Sequence, residues 1–489
     1  MITHGLHRSS RVHTKWLLIV WLCCNMAAAS DWPRFRGPNG SGVSQDTQLP
    51  VHFGPTRNVI WKTSLPQGHS SPVVVGDRIY LTAYSDKSLF TISLSRITGN
   101  ILWQREIPRK PTERYHERNT PASPTAVADT SSVYVFFPEL GLVAFGKNGQ
   151  ERWRFPLGPF RNHHGMASSP ILVEDKVVLQ CDQDTNALLL AVDKSNGKLV
   201  WKTKRSEVIQ GFSTPVLYYP HAGSPQIITS GSFHLIAYGA DKGEKLWWIN
   251  GLAWQPKTTP LVGSNLIFVH SATSTTGEPS KQTALPAFAA VLQEHDRNND
   301  GRLSLEEADS PSLRDSWIVV DLDKNGTLDA YEWDNYRAML NEQNGVFALR
   351  PGGRGDVTKT NVQWSYWKSL PNVSSPLLYK NVIYLVKDGG VLTTLDSSTG
   401  RVLKQARLAG ATEQYFASPV AGAEKVFLVS ESGKVTVLKA ATDWQTLALN
   451  DLEDDCFATP AIAGGRLYFR TRNALYCFGE VNAKSSKSN

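Results

Sequence analysis

The chain has 489 residues, 41% hydrophobic and 19% charged, which is an ordinary balance for a globular protein. Its formal net charge is +7 and falls to +4 without the three basic residues among the first 29. So small a positive excess argues against a protein that binds nucleic acid. The length is compatible with one large domain or several smaller ones, so the architecture has to come from the sequence pattern.

The start of the chain predicts a signal peptide over residues 1–30. Three basic residues come first, residues 16–24 form an apolar core too short to span a bilayer, and alanines at 27–29 offer a cleavage site. We therefore expect an exported protein, periplasmic or extracellular. No other long apolar run follows, so the mature chain should have no transmembrane segment.

The cysteines do not form a disulfide framework. Cys23 raises the question of a lipid anchor, but bulky residues precede it where a lipobox has small ones, so anchoring is not expected. Removal of the signal peptide leaves Cys181, Cys456 and Cys477, too few for a framework. We expect buried single thiols, with a Cys456–Cys477 bridge as the alternative.

A Ser/Thr-Pro step followed by a β-rich run recurs through the chain. Successive prolines of these steps are 52, 46, 45, 45, 116, 43 and 41 residues apart. Four short strands in about 45 residues is the period of a propeller blade. The steps are Ser71-Pro72, Ser123-Pro124, Ser169-Pro170, Thr214-Pro215, Thr259-Pro260, Ser375-Pro376, Ser418-Pro419 and Thr459-Pro460.

These repeats predict an all-β, eight-bladed propeller of four-stranded antiparallel blades. The eighth unit has only three strands, and residues 58–62 form one unmatched strand, so we expect that strand to close the last blade and remove an open sheet edge. Most fourth strands carry a tryptophan, which we expect to pack between neighbouring blades. These tryptophans are Trp103, Trp153, Trp201, Trp247 and Trp364.

The long fifth interval predicts an insertion over residues 275–344, between the second and third strands of the fifth blade. The propeller then occupies residues 31–274 and 345–480, and residues 481–489 form a disordered tail. Helical composition flanks two acidic loops in the insertion, and a Ser-Pro pair at 310–311 is typical of a helix start.

Both acidic loops follow the EF-hand pattern D-x-[DN]-x-[DN]-G-x5-E, which places hard oxygen ligands around Ca²⁺. The alternative is two solvated acidic turns. The second loop offers four carboxylates against three in the first, so we expect it to bind calcium more tightly. The expected ligands are Asp296, Asn298, Asp300, the carbonyl of Arg302, Ser304 and Glu307 in the first loop, and Asp321, Asp323, Asn325, the carbonyl of Thr327, Asp329 and Glu332 in the second.

The repeats resemble the PQQ-type propeller repeat, in which the third strand and its turn read roughly Ala-x-Asp-x-x-Thr-Gly-x-x-x-Trp. The opening residues 31–40 look like the start of a bacterial group of BamB-like, PQQ-like propellers. In the sixth blade Lys404 stands in for the tryptophan. Matching positions are Ala191, Asp193, Asn196 (for Thr), Gly197 and Trp201 in one repeat, and Asp396, Thr399 and Gly400 in another.

The resemblance implies one of two function classes. Quinoprotein dehydrogenases use the quinone PQQ, a calcium ion and an Asp base to oxidise alcohols or sugars, whereas BamB-like members bind protein partners without a quinone. The chain is short for a dehydrogenase, and it lacks both an adjacent cysteine pair in the mature part and a Cys-x-x-Cys-His haem site. We therefore expect a non-catalytic scaffold. A PQQ-dependent alcohol or sugar dehydrogenase is the alternative, and a hydrolase or lyase a third hypothesis.

Strand alternation places the insertion on the same face as the connections between blades. We call this the mouth face and expect it to bind a protein or polymer, because polar groups around a propeller mouth form a concave site. The alternative is that the histidines are turn residues bonded to backbone. The candidate residues are His116, Asn119, His163, His164, Asp182, Gln183 and Gln414.

Overall fold

A computed structural model describes residues 1–2, 30–273 and 284–480. The signal peptide, the tail at 481–489 and the start of the insertion fall wholly or largely outside the described residues. Eight four-stranded antiparallel sheets form a closed ring, so the predicted eight-bladed propeller is confirmed. Blade 4 carries a fifth strand, Gly355–Asp356, parallel to its outermost strand.

The strands of the first four blades follow one another from the inside of the ring outward. They are Val73–Val75, Arg78–Tyr84, Ser88–Ser95 and Ile101–Pro108 in blade 1; Val127–Ala128, Ser132–Phe137, Gly141–Gly146 and Glu151–Pro156 in blade 2; Ile171–Val173, Lys176–Cys181, Leu188–Asp193 and Leu199–Lys204 in blade 3; Val216–Tyr218, Gln226–Gly231, His234–Gly239 and Lys245–Asn250 in blade 4.

Blades 5 to 8 repeat this order, and the last blade is completed from the other end of the chain. Val59–Ser64 pairs antiparallel with Ala474–Phe478, which confirms the predicted closing strand. The strands are Leu261–Val262, Ile267–Ser271, Gly345–Leu349 and Val362–Tyr366 in blade 5; Leu377–Tyr379, Val382–Lys387, Val391–Asp396 and Val402–Arg407 in blade 6; Val420–Gly422, Lys425–Val429, Lys434–Lys439 and Gln445–Asp451 in blade 7; Ala461–Ala463, Arg466–Arg470 and Ala474–Phe478 in blade 8.

Tryptophans join neighbouring blades, as predicted. Trp153 packs on Gly197 in the turn of the next blade, and its Nε1 donates to the Lys194 carbonyl at 2.9 Å. A Cβ on Gly197 would lie 2.7 Å from the indole ring, so only glycine leaves room for it. The same pairing recurs as Trp61 on Gly99, Trp103 on Gly149, Trp201 on Gly243 and Trp364 on Gly400.

A second set of contacts joins the blades at the inner strands. The backbone N–H of the Ser or Thr that precedes the innermost strand donates to the hydroxyl of the equivalent residue in the next blade. The Ser71 N–H, for example, donates to Thr125 Oγ1 at 2.9 Å. Six such bonds are formed around the ring. We call the residues at this position the hydroxyl ring. They are Ser71, Thr125, Ser169, Thr214, Thr259, Ser375, Ser418 and Thr459, all buried.

The predicted second step was wrong by two residues. Val127 pairs with Tyr134 as Val73 pairs with Tyr80, so Thr125 rather than Ser123 is the equivalent of Ser71. The Ser-Pro pair at 123–124 lies just before the true step. Strand register, seen in the Val127–Tyr134 pair, decides the alignment, and the Ser-Pro pattern alone does not give it.

The N-terminal segment crosses the central channel. Trp32, fully buried, pairs with Val74 of blade 1, and Val43 pairs with Ala421 of blade 7. Between them a short 3-10 helix, Pro38–Gly40, contacts blade 4. We call residues 31–44 the N-terminal plug, since they contact inner strands on opposite sides of the ring.

The insertion leaves blade 5 between its second and third strands, as predicted. Its described part contains three helices, Phe288–His295, Pro311–Val320 and Ala330–Leu340, around a small apolar core. Short strands Leu303–Ser304 and Thr327–Leu328 pair antiparallel and join the two acidic loops face to face. A last helix, Thr358–Asn361, lies in blade 5.

Two further expectations concern the whole chain. Within the described ranges, none of the helices combines the length and apolar character that a membrane crossing requires. Cys181, Cys456 and Cys477 are free and buried, which confirms single thiols and excludes the alternative bridge.

The tryptophan–glycine pairing predicts that Gly197→Ala destabilises the propeller through the indole ring. Gly197 has φ +72°, so alanine there adds backbone strain of about 1–2 kcal/mol and a steric clash of about 1–3 kcal/mol more. The matched control is Gly76→Ala, because Gly76 has φ +58° but nothing within 4 Å of an added Cβ. Urea unfolding should show the larger loss for Gly197→Ala, and equal losses would contradict the pairing.

Candidate functional site

The second acidic loop gathers three carboxylates. One oxygen from each of Asp321, Asp323 and Glu332 lies within 4.8 Å of the others. Gly326, with φ +86°, makes the sharp turn and donates its N–H to Asp321 at 3.0 Å. Glu332, the third residue of the following helix, forms a capping box with Asp329, and its Oε1 accepts the Leu322 N–H at 2.7 Å. The loop thus converges like-charged oxygens at one point.

The remaining predicted ligands of the second loop border this cluster. Asn325 donates its N–H to Asp323 Oδ1 at 3.1 Å and accepts from the Thr327 N–H at 2.8 Å. Asp329 accepts the Glu332 N–H at 3.0 Å. These bonds fold the loop around the three carboxylates.

The first loop has the same turn but a less convergent set of oxygens. Asp296 accepts the Gly301 N–H at 3.0 Å, and Asn298 Oδ1 accepts the Asp300 N–H at 2.9 Å. Glu307 turns back onto Ser304, and backbone and side-chain hydrogen bonds from Ser304 lower its pKa to about 2. In this loop, all of which is described, three carboxylates do not come within 4.8 Å of one another. The Arg302 side chain is exposed and reaches Thr327 at 3.4 Å.

The insertion docks on the mouth face, as the strand order predicts. The Arg161 guanidinium donates to the Asp323 carbonyl of the second loop at 3.0 Å. Leu322 packs with Ile209 and Phe233. After the third helix, Glu342 accepts the Trp254 N–H at 2.8 Å. The loop that gathers carboxylates is therefore attached to the connections around the mouth.

A cavity of about 570 Å³ lies at the centre of the mouth face. All eight blades contribute to its lining, so it lies on the axis of the ring. Seven members of the hydroxyl ring border it, and Phe35 of the N-terminal plug joins them.

One sequence position supplies most of the walls. The residue two before each hydroxyl-ring residue lines the cavity in every blade. A search for this position could have found these residues from the sequence, once the second step was aligned correctly. They are His69, Ser123, Ala167, Phe212, Lys257, Val373, Phe416 and Phe457.

Four of the seven predicted mouth residues line this cavity: His116, Asn119, His164 and Gln414. His164 and His116 lie edge to face with ring centroids 5.3 Å apart. Asn119 donates to the His164 carbonyl at 2.8 Å, which joins the two connections that carry His116 and His164. Gln414 accepts from Arg118.

The other three predicted mouth residues lie outside the cavity lining. Asp182 is fully buried, and its carboxylate pairs with the buried guanidinium of Arg205 at 2.7 Å. Gln183 accepts the Arg161 N–H at 2.9 Å next to the second acidic loop. His163 is exposed and contacts His164. Position in the chain did not distinguish the axis of the ring from its rim.

The walls combine aromatic rings with cationic side chains. His69 stacks on Phe457 with centroids 4.5 Å apart, and Arg118 lies over the Phe416 ring at 4.8 Å. Burial lowers the pKa of Lys257, and it lowers the pKa of both His69 and His164 to about 4. The two histidines are therefore neutral at pH 7.

Carboxylates are scarce at the cavity. Glu117 is the one acidic residue among the described residues that line it. Beneath the cavity, Arg34 and Arg36 of the N-terminal plug are buried and donate to the carbonyls of Pro215 and Pro376. Burial lowers the pKa of both guanidiniums to about 9. The centre of the ring is therefore rich in donors and positive charge.

The family model for outer membrane protein assembly factor BamB matches residues 44–208, 185–332 and 338–488. The chain belongs to this BamB family. BamB of Yersinia pestis is 22% identical over 414 residues, 78% of this chain and 88% of that protein. BamB of Alkalilimnicola ehrlichii is 27% identical over 157 residues, 32% of this chain, which spans only 37% of that relative's length.

Solved structures show the same fold at low identity. BamB from Moraxella catarrhalis has a TM-score of 0.54 at 12% identity, covering 88% of this chain and 99% of that one. Quinohemoprotein alcohol dehydrogenase ADHIIG from Pseudomonas putida HK5 has 0.56 at 12%, covering 94% and 82%. The predicted PQQ-like, BamB-like repeat is thus confirmed, and both function classes share the architecture of this BamB family member.

A buried carboxyl group ties two connections at the mouth together. Glu113 accepts the Phe160 N–H at 2.6 Å, which joins the connection carrying His116 to the one carrying His163. Burial raises the pKa of Glu113 to about 7, and the nearby Glu139 adds to this shift. The folded protein therefore holds a proton that the unfolded chain releases near pH 4.5.

The raised pKa predicts that Glu113 makes the protein less stable as pH rises from about 4.5 to about 7, because the unfolded state binds fewer protons than the folded state. In Glu113→Gln this part of the pH dependence of the unfolding free energy should disappear. The variant should therefore be more stable relative to the wild type at pH 8 than it is at pH 4. Urea unfolding at both pH values measures it. Glu117→Gln, at a side chain that is 75% exposed, is the control and should leave the profile unchanged. A wild-type-like profile in Glu113→Gln would contradict the assignment.

Proposed function

We propose that the protein is an exported, calcium-binding BamB-like propeller that acts as a non-catalytic scaffold. The observation that carries the calcium assignment is the convergence of Asp321, Asp323 and Glu332 in the second loop. Three carboxylates so close repel one another, and a divalent cation with oxygen ligands relieves that repulsion. Both loops follow the EF-hand spacing, so the proposal includes two sites, the second tighter.

The mouth face is the proposed binding surface for a protein or polymer partner. The insertion is attached to its connections through Arg161 and Leu322, so calcium would order one side of the mouth. Relatives are named as outer membrane protein assembly factors, which supports a scaffold role. The basic start, apolar core and alanines of the first 29 residues support export to the periplasm or beyond.

The cavity does not fit the dehydrogenase alternative. Its cationic lining suits the carboxylates of PQQ, but a quinoprotein site also calls for a calcium ion and an Asp base beside the quinone. Among the described residues of the cavity lining there is no Asp, and Glu117 is paired with Arg118 at 3.3 Å. The acidic loops that could hold calcium lie at the rim instead.

Calcium titration of the mature protein should show two sites, with dissociation constants of about 0.1–1 mM, as in extracellular calcium modules. Glu332→Gln should weaken the tighter site at least about tenfold, since it removes a bidentate, charged ligand. Glu307→Gln should affect the weaker one. The control is Glu306→Gln, at an exposed neighbour outside the ligand pattern. Isothermal titration calorimetry measures all four proteins, and unchanged calcium binding in Glu332→Gln would refute the assignment.

Calcium should also protect the insertion from proteolysis, because metal binding removes carboxylate repulsion and orders the loops. In limited proteolysis, cleavage within residues 284–344 should be slower with calcium than with chelator, while cleavage in the blades stays the same. Glu332→Gln should lose most of the protection. Equal resistance of the insertion with and without calcium would refute calcium-dependent ordering.

A further inference from the structure

We propose that the central cavity binds the carboxylate of an acidic sugar, as a free molecule or as a unit of a polysaccharide. This inference rests on the proposed function, because it assigns the ligand class of the mouth face. It concerns the cavity on the axis of the ring, not the calcium loops at its rim. Three independent features of the lining support it.

The hydroxyl ring presents O–H donors without acceptors. Six of its hydroxyls accept a backbone N–H from the preceding blade, which orients their oxygen atoms. A hydroxyl that accepts still has one O–H to donate. Among the described residues, none of the eight receives an acceptor for that hydrogen. Seven line the cavity, so its inner end calls for an acceptor-rich group.

Three cationic side chains at or beneath the cavity form no salt bridge within the described ranges, although the carboxylates of Glu342 and Asp388 act on the charge of Lys257. Lys257 Nζ donates to Asn372 Oδ1 at 2.8 Å and forms no ion pair within the described ranges. In the N-terminal plug, Arg34 Nε and Arg36 Nε and Nη1 are buried without hydrogen-bond partners. Charges inside a low-dielectric ring act over longer distances than charges in water. An anion in the cavity would therefore be stabilised by all three residues.

The aromatic walls favour a sugar ring over a small inorganic anion. Phe212, Phe416 and Phe457 line the cavity, and these apolar faces would gain nothing from phosphate or sulfate. A volume of about 570 Å³ falls within the range of about 300–1,000 Å³ of small-molecule sites. Peptide carbonyls and sugar hydroxyls can both accept from the hydroxyl ring, so an acidic peptide is included in the test to distinguish the two ligand classes.

The test is calorimetry on the intact mature protein with trigalacturonate, and with maltotriose as the neutral control of equal length. Trigalacturonate should bind at least about tenfold more tightly. Lys257→Gln should weaken it at least about tenfold by removing a cation of the lining that forms no salt bridge, and Phe457→Leu should weaken both sugars by removing part of an aromatic wall. Lys202→Gln, at an exposed lysine on the outer strand of blade 3, is the charge-matched control and should bind as the wild type does.

Other outcomes would overturn the inference. Equal affinity for the two sugars would refute recognition of the carboxylate. Equal or tighter binding of triglutamate would refute the preference for a sugar. Tight binding of PQQ that excludes trigalacturonate would favour the quinoprotein alternative. Each titration is repeated in calcium and in chelator. Absent sugar binding with intact calcium binding refutes only this inference, whereas absent calcium binding refutes the calcium proposal and leaves the cavity result standing.

Discussion

The bond from a backbone N–H to the hydroxyl of the next blade is the contact on which the molecule depends. It is made at six of the eight points where a chain connection enters an innermost strand, so it helps to set the spacing of the blades around the axis. Proline commonly follows the hydroxyl residue and limits the backbone there. Farther out, tryptophans on glycines repeat the same coupling between blades. Without contacts between blades both near the axis and farther out, the faces of neighbouring sheets would be left exposed.

The position of these hydrogen-bonded steps also determines which residues line the cavity at the mouth. The steps occupy equivalent places in the eight blades, so the residue two positions earlier lines the cavity in each blade, and eight side chains meet there. Six of the hydroxyls accept a backbone N–H, and their own hydrogens have no acceptor among the described residues. The same hydroxyl residues therefore join neighbouring blades and line the cavity. The N-terminal plug adds buried guanidiniums below it, which gives the centre of the ring its positive character.

The insertion is a separate unit attached to this frame. It has its own apolar core, its two acidic loops are joined by a short sheet, and it meets the propeller through Leu322 and through the carbonyl of Asp323. Its charge is opposite in sign to that of the cavity. The acidic loops at the rim and the cationic cavity on the axis therefore differ in the sign of their charge.

The sequence by itself determined the number of blades, the closing strand, the place of the insertion and the spacing of the acidic loops, because each depends on a local period or on a motif of a dozen residues. It also predicted the docking tryptophans, since they recur at one place in the repeat. Only the tertiary structure decided that Thr125 and not Ser123 occupies the second step, that Asp182 is buried with Arg205, and that Phe35 reaches the cavity. The Asp182–Arg205 pair and the place of Phe35 depend on contacts between residues distant in the chain, and the place of Thr125 depends on strand register, which the Ser-Pro spacing does not record.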